Sequence, residues 1–247
     1  MRDALRTLRG VVRSLRIYYG GRHSRVAMDA LYAGFVQRGD LVFDVGAHVG
    51  DRIAAFRRLG ARVVACEPQP ALVKTLRLIY GRDGEVSIEP VAVGAAAGAI
   101  ELRINTANPT VSTASRDFVQ ASQGVPGWEG QSWDRSVTVA MTTLDALIAR
   151  HGLPRFMKID VEGFEAEALA GLTQPVPALS FEFTTIQRDV AQACLQRCAA
   201  LGYVRYNAAL GESQTLAHAD WQSVEAIGAW LAALPMSANS GDVYALR

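Results

Sequence analysis

Apolar residues recur at spacings of three and four near the start of the chain, at Leu5, Leu8, Val12, Leu15 and Tyr19, with arginines between them. That period predicts an amphipathic helix, and Gly20-Gly21 ends it. A second short helix is expected over 26–37, closing at Gly39. From Leu41 the pattern changes to short apolar runs alternating with helical stretches. Runs at 41–45, 62–66, 86–93, 99–104, 137–141, 156–160, 179–184, 203–207 and 242–246 predict strands. Helical periods fall at 52–59, 70–80, 144–150, 165–172 and 187–201. Pro70 suits a first helical turn, where a missing N–H costs nothing. Residues 105–135 form an irregular stretch rich in Ser, Thr, Asn, Gly and Pro that carries Trp128 and Trp133; an acidic segment bearing Trp221 and Trp230 precedes the last strand.

Strands alternating with helices predict a mostly parallel α/β sheet covered on both faces. Ligands of such sheets sit beyond the carboxyl ends of the strands, near the point where strand order reverses. Residues that follow strands are therefore the ones to inspect for chemistry.

Composition changes this picture little. The 247 residues are half apolar and one fifth charged, as expected for one large globular domain. The net charge of +1 excludes a strong overall pull towards nucleic acid. Its distribution is uneven: residues 1–25 hold seven arginines and one acid, and the remainder is net negative. Three cysteines, Cys66, Cys194 and Cys198, have no zinc-ligand spacing and suit a reducing cytoplasm as buried thiols. No run approaches the roughly 20 apolar residues of a membrane span.

The first strand ends in Asp44-Val45-Gly46-Ala47-His48-Val49-Gly50. Glycines allow a tight turn and close ligand approach, and the following helix offers free N–H groups. The turn is neither a dinucleotide fingerprint nor a phosphate loop ending in Gly-Lys-Ser/Thr. Glu67, followed by Pro68, ends the second strand about 20 residues on, where nucleotide-binding sheets place a ribose-binding carboxylate. In Lys158-Ile159-Asp160-Val161-Glu162-Gly163, alternation sends Ile159 and Val161 to the core and puts Asp160 at the strand's carboxyl end. Glu162 fits helix capping and chemistry equally; for Lys158 a structural ion pair is at least as good a reading.

Together with Thr143-Leu144-Asp145 and Phe164-Glu165, these segments resemble the FkbM family of methyltransferases over about residues 41–207. The resemblance implies a Rossmann-like class I methyltransferase fold, with a mostly parallel seven-stranded sheet over 39–247 and a short helical N-terminal extension over 1–38. It implies S-adenosylmethionine as methyl donor and a hydroxyl of a sugar, glycan or related natural product as acceptor. Asp44, Gly46, Ala47, His48, Gly50, Glu67, Pro68 and Asp160 would form the cofactor site.

An unactivated alcohol needs a base or a metal. Asp160 and Glu182, ending neighbouring strands, are the candidates for catalysis and together could hold Mg²⁺; His48 is a third candidate base. Residues 105–135 are a candidate acceptor-binding lid, through stacking on Trp128 and Trp133. The first helix is expected to dock on the domain, with peripheral contact to an anionic membrane through residues 1–19 as the alternative. Oligomeric state is left open. Two other functions compete: a non-catalytic nucleotide-binding module of a glycan-assembly complex, and a nicotinamide-dependent oxidoreductase, which should carry the denser glycine motif.

Overall fold

The computed structural model describes residues 2–247, and their side chains except those of residues 2–4 and 22–24. Two helices, α1 (Arg2–Tyr19) and α2 (Arg22–Ala33), lead into β1 (Leu41–Val45), α3 (Asp51–Arg58), β2 (Arg62–Cys66), α4 (Pro70–Tyr80) and β3 (Val86–Glu89). Then follow β4 (Ala92–Val93), β5 (Gly98–Ile104), α5 (Arg116–Ala121), β6 (Arg135–Thr142), α6 (Leu144–His151), β7 (Phe156–Ile159) and α7 (Glu165–Ala170). The chain closes with β8 (Ala178–Thr184), α8 (Arg188–Ala200), β9 (Arg205–Leu210), α9 (Val224–Ala233) and β10 (Ser240–Leu246).

Seven strands form the main sheet in the order β3-β2-β1-β7-β8-β10-β9. Pairing is parallel from β3 through β8, and β10 runs antiparallel to both β8 and β9. The period of two divides the side chains cleanly. Phe43, Val45, Met157, Ile159, Leu179, Phe181 and Val243 face Leu147, Leu169, Leu195 and Ile227 of α6–α9. Val42, Val63 and Phe156 face Tyr32, Phe56 and Leu76 of α2–α4. Strand order reverses between β1 and β7, so their carboxyl ends frame the crevice expected of this topology.

The apolar run at 86–93 proves to be two strands. Pro90 has no N–H to donate, and the chain turns there; β4 leaves the main sheet and pairs with β6, which pairs with β5 in a second, three-stranded sheet. The irregular stretch contains α5, whose start is capped by Ser115 accepting from the Phe118 N–H at 3.1 Å. Trp128 and Trp133 pack with Val111 and Phe118, and the Trp133 indole N–H donates to the Val111 carbonyl at 2.8 Å. They secure this stretch more than they decorate it. Helix α9 is an element the sequence pattern did not suggest; Ser223 caps it, and Ile227 and Leu231 bury its inner face.

Helix α1 docks on the domain. Val11 packs with Val49 and Leu72, flanked by Leu15, Tyr18 and Tyr19. The Tyr19 hydroxyl bonds the Val49 carbonyl at 3.1 Å and the Tyr80 hydroxyl at 2.7 Å, and Arg6 pairs with Asp134 at 2.7 Å. Among the described residues no helix is long and apolar enough to cross a membrane.

Candidate active site

A cavity open to solvent lies over the carboxyl ends of β1, β2, β7 and β8. One wall is the turn after β1. Gly46 and Ala47 donate to the Cys66 carbonyl at 2.9 and 3.0 Å, tying the turn to β2. Gly46 sits at φ +89°, and a Cβ there would overlap the Asp160 carbonyl oxygen. Bare backbone at this point is what lets β1 and β7 meet at the cavity floor. His48 also has positive φ, +49°, a strain that non-glycine residues carry mostly at functional sites.

Glu67 is buried at the end of β2. Its Oε2 accepts the His48 N–H at 2.9 Å and its Oε1 the Gln69 N–H at 2.7 Å. Burial pushes its carboxyl up to about 8 against the pull of those two N–H groups. Each oxygen keeps a lone pair, so the group can still accept from a ligand. Pro68 and Gln69 continue this wall, and Val91, Ala92, Val93, Leu102 and Phe164 supply an apolar one.

The third wall is acidic. Asp160 follows β7, Glu182 lies on β8, and Glu162 occupies the turn between β7 and α7; one carboxylate oxygen of each falls within 4.8 Å of the others. Glu162 reaches the cluster because its φ is +56° and Thr113 Oγ1 donates to its carbonyl at 2.6 Å. Beneath them, the buried Lys158 ammonium lies 2.6 Å from Asp160 and 3.4 Å from Asp242 on β10. Burial disfavours both charges, yet each partner outweighs it: Asp160 is held below the ordinary carboxylate range and Lys158 above its own. Burial, then the Asp160 charge, pushes Glu162 and Glu182 well up. Asp160 is thus the member of the trio held towards its charged form, and Glu162 and Glu182 are the two pushed towards their neutral forms.

Of the residues singled out from the sequence, Gly46, Ala47, His48, Glu67, Pro68, Asp160 and Glu182 line this cavity. Asp44 and Gly50 do not. Asp44 pairs in register with Lys158 beneath the floor, and burial lifts its carboxyl to about 7. Gly50 starts α3 and lies against Tyr80 and Leu76. His48 is half-buried, edge-on against Tyr18 with ring centroids 5.1 Å apart, and desolvation lowers it to about 4, which makes it a weak proton acceptor. The sequence pattern did not mark Tyr18, Thr110, Arg52 or Glu212 as part of the cavity. Arg52, buried between Asp51 at 2.5 Å and Glu212 at 2.8 Å, has an ion-pair geometry that sequence spacing does not reveal.

The sheet order, with its cavity over the strand ends, is that of a Rossmann-like class I methyltransferase fold. The chain belongs to the family described as the methyltransferase FkbM domain, whose model matches residues 44–220. No curated protein matches it. Among solved structures it is similar to a TehB-like SAM-dependent methyltransferase from Corynebacterium glutamicum, at 11% identity and TM-score 0.46 over 90% of this chain and 87% of that one. It is also similar to an O-methyltransferase from Bacillus cereus in complex with SAH, at 10% identity and TM-score 0.45 over 98% of this chain and 90% of that one.

The cavity suits S-adenosylmethionine. Glu67 has free lone pairs that could accept from ribose hydroxyls, the apolar wall could take a purine, and the bare backbone of Gly46 leaves room for a methionine end. Replacing Glu67 with Gln keeps the shape but puts an N–H₂ in place of one acceptor oxygen, so either a backbone N–H or a ligand hydroxyl loses its acceptor. The expected result is a 10- to 100-fold rise in the Kd for S-adenosylmethionine by calorimetry, since a buried donor left without an acceptor costs about 1–3 kcal/mol. An unchanged Kd would remove Glu67 from the site.

Proposed function

We propose that the protein methylates a hydroxyl oxygen of a sugar, glycan or related hydroxylated product, with Asp160 receiving the hydroxyl proton. The observation that carries this reading is the Asp160 carboxylate, kept ionised by Lys158 at 2.6 Å at the edge of the cavity. Bound S-adenosylmethionine supplies a sulfonium methyl, whose C–S bonding pair stays on sulfur as the new C–O bond forms. The protein's share is to align the oxygen, exclude water and hold the proton. Glu162 and Glu182, pushed towards their neutral forms by burial and the Asp160 charge, could both donate to and accept from neighbouring hydroxyls of a polyol, which favours a hydroxyl-rich acceptor.

A second reading rests on the same three carboxyl groups. Groups within 4.8 Å of one another could converge on one divalent cation, whose charge would favour the ionised forms of Glu162 and Glu182. Release of S-adenosylhomocysteine across a panel of hydroxyl, amine and carbon acceptors tests the first reading, run with and without chelator. We expect turnover on hydroxyl acceptors and no effect of chelation. Activity lost with chelator and restored by Mg²⁺ would transfer the proposal to the cation. Donor binding without turnover on any acceptor would favour a non-catalytic module.

A further inference from the structure

We propose that α1 and α4 together form a seat for the surface of an anionic phospholipid bilayer. Docking uses one side of α1 only. Leu5 and Leu8 remain about half exposed, at 50% and 58%, on the flank next to Val12 and Leu15. On α4, Ala71 packs into the cluster with Leu15 and Tyr19. Helical spacing continues that stripe through Thr75 and Leu78, with Ile79 beside it. Leu78 is 87% exposed and Ile79 44%. Val11 meets Leu72 near the start of α4, and Tyr19 meets Tyr80 at its end, so the two helices run side by side in the same direction. In that register Leu5 and Leu8 lie near the start of the pair and Leu78 and Ile79 near its end, so they mark the two ends of one apolar stripe joined by the partly buried Val12, Leu15 and Ala71.

Cations border it. Arg9, Arg13 and Arg16 lie along α1 beyond Leu5 and Leu8, and Lys74 and Arg77 lie along α4 beyond Leu78. Of the described α1 arginines, Arg6 is paired, with Asp134; these five cations make no ion pair among the described residues. An apolar strip between free cations matches an anionic interface, with leucines at the acyl boundary and arginines at the phosphates. A second copy would bring two arginine-rich faces together, which like-charge repulsion disfavours. A nucleic-acid backbone would leave the leucines without a partner. Because α1 also carries Tyr18 at the cavity, this seat would hold the active site beside acceptors that reside in or on a membrane.

Co-sedimentation of the full chain tests this, using vesicles of phosphatidylcholine alone and of phosphatidylcholine mixed with phosphatidylglycerol. Binding is expected to the mixed vesicles alone and to weaken as salt rises. Changing Arg9, Arg13 and Arg16 together to Gln should weaken it by about 100-fold, since each cation near an anionic surface contributes about a fivefold factor. Leu8→Ser with Leu78→Ser should weaken it independently of salt. Both variants should keep the wild-type Tm and Kd for S-adenosylmethionine, which separates this proposal from the assignment of the cavity. No binding to mixed vesicles at low salt would overturn it, as would equal binding by both variants. Light scattering that finds a dimer dispersed by the leucine changes would give the patch to a second copy.

Discussion

Gly46→Ala should abolish measurable binding of S-adenosylmethionine, raising the Kd by at least about 100-fold, and lower the Tm by several degrees. Two physical costs combine. At φ +89° an L side chain is strained, at about 1–2 kcal/mol. The larger cost is contact: the new Cβ would overlap the carbonyl oxygen and carbon of Asp160. Both are backbone atoms, so β1 and β7 must part at the point where they frame the cavity. A domain of this size loses roughly 2–4 °C per kcal/mol, so a fall of about 5–10 °C is expected. Gly39→Ala is the matched control. Its φ is nearly the same, +86°, but a Cβ there meets nothing within 4 Å. It should lose about 1 kcal/mol through strain and leave donor binding intact. If the two variants behave alike in calorimetry, close approach at Gly46 is not what shapes the cavity.

That glycine was legible in the sequence because a turn closing an apolar run has few other uses for it. Glu67 and Asp160 were legible for a related reason: in a parallel sheet, strand ends point to one place. The period of two also assigned Ile159 of β7, and Val161 after it, to the core. What failed to show was set by backbone conformation or distant packing. Asp44 belongs to the same motif as Gly46, yet alternation continues through β1 and places it beneath the floor beside Lys158. Glu162 lies past the strand, where no period governs direction; positive φ aims it at Asp160 and Glu182. Tyr18 reaches the cavity from a helix that ends well before β1. Nor does composition tell a stacking tryptophan from a packing one: Trp128 and Trp133 stood in a polar stretch, but Val111 and Phe118 provide a local core that absorbs both. The second sheet was hidden for a similar reason. Strand period says that β5 and β6 are strands; it does not say which strands they pair with.

Asp160→Asn should reduce methyl transfer by about 10²–10⁴-fold, the usual contribution of a positioned base, with the Kd for S-adenosylmethionine changed far less. Turnover within tenfold of wild type would exclude Asp160 as the proton acceptor. Lys158→Met distinguishes a base tuned by its neighbour from one that is merely nearby. In the native protein the ammonium outweighs burial and keeps Asp160 below the ordinary carboxylate range. Activity that requires the carboxylate is present above that pKa and falls only as pH drops through it, so the acid limb of kcat/KM should lie low. Removing the ammonium takes away the main influence opposing burial and leaves only the Glu182 hydrogen bond and the Arg52 charge against it. The pKa of Asp160 should then rise and carry the acid limb to higher pH. The variant should therefore lose activity at pH values where the wild type is still on its plateau, and recover as pH increases. Asp160→Asn should stay slow throughout. The lost ion pair will also cost stability, of order 3–5 kcal/mol for a buried charge left alone. The profile should therefore be measured well below the variant's Tm. A Lys158→Met enzyme that is slow at every pH, with its acid limb unmoved, would make Lys158 a packing residue and separate it from the proton.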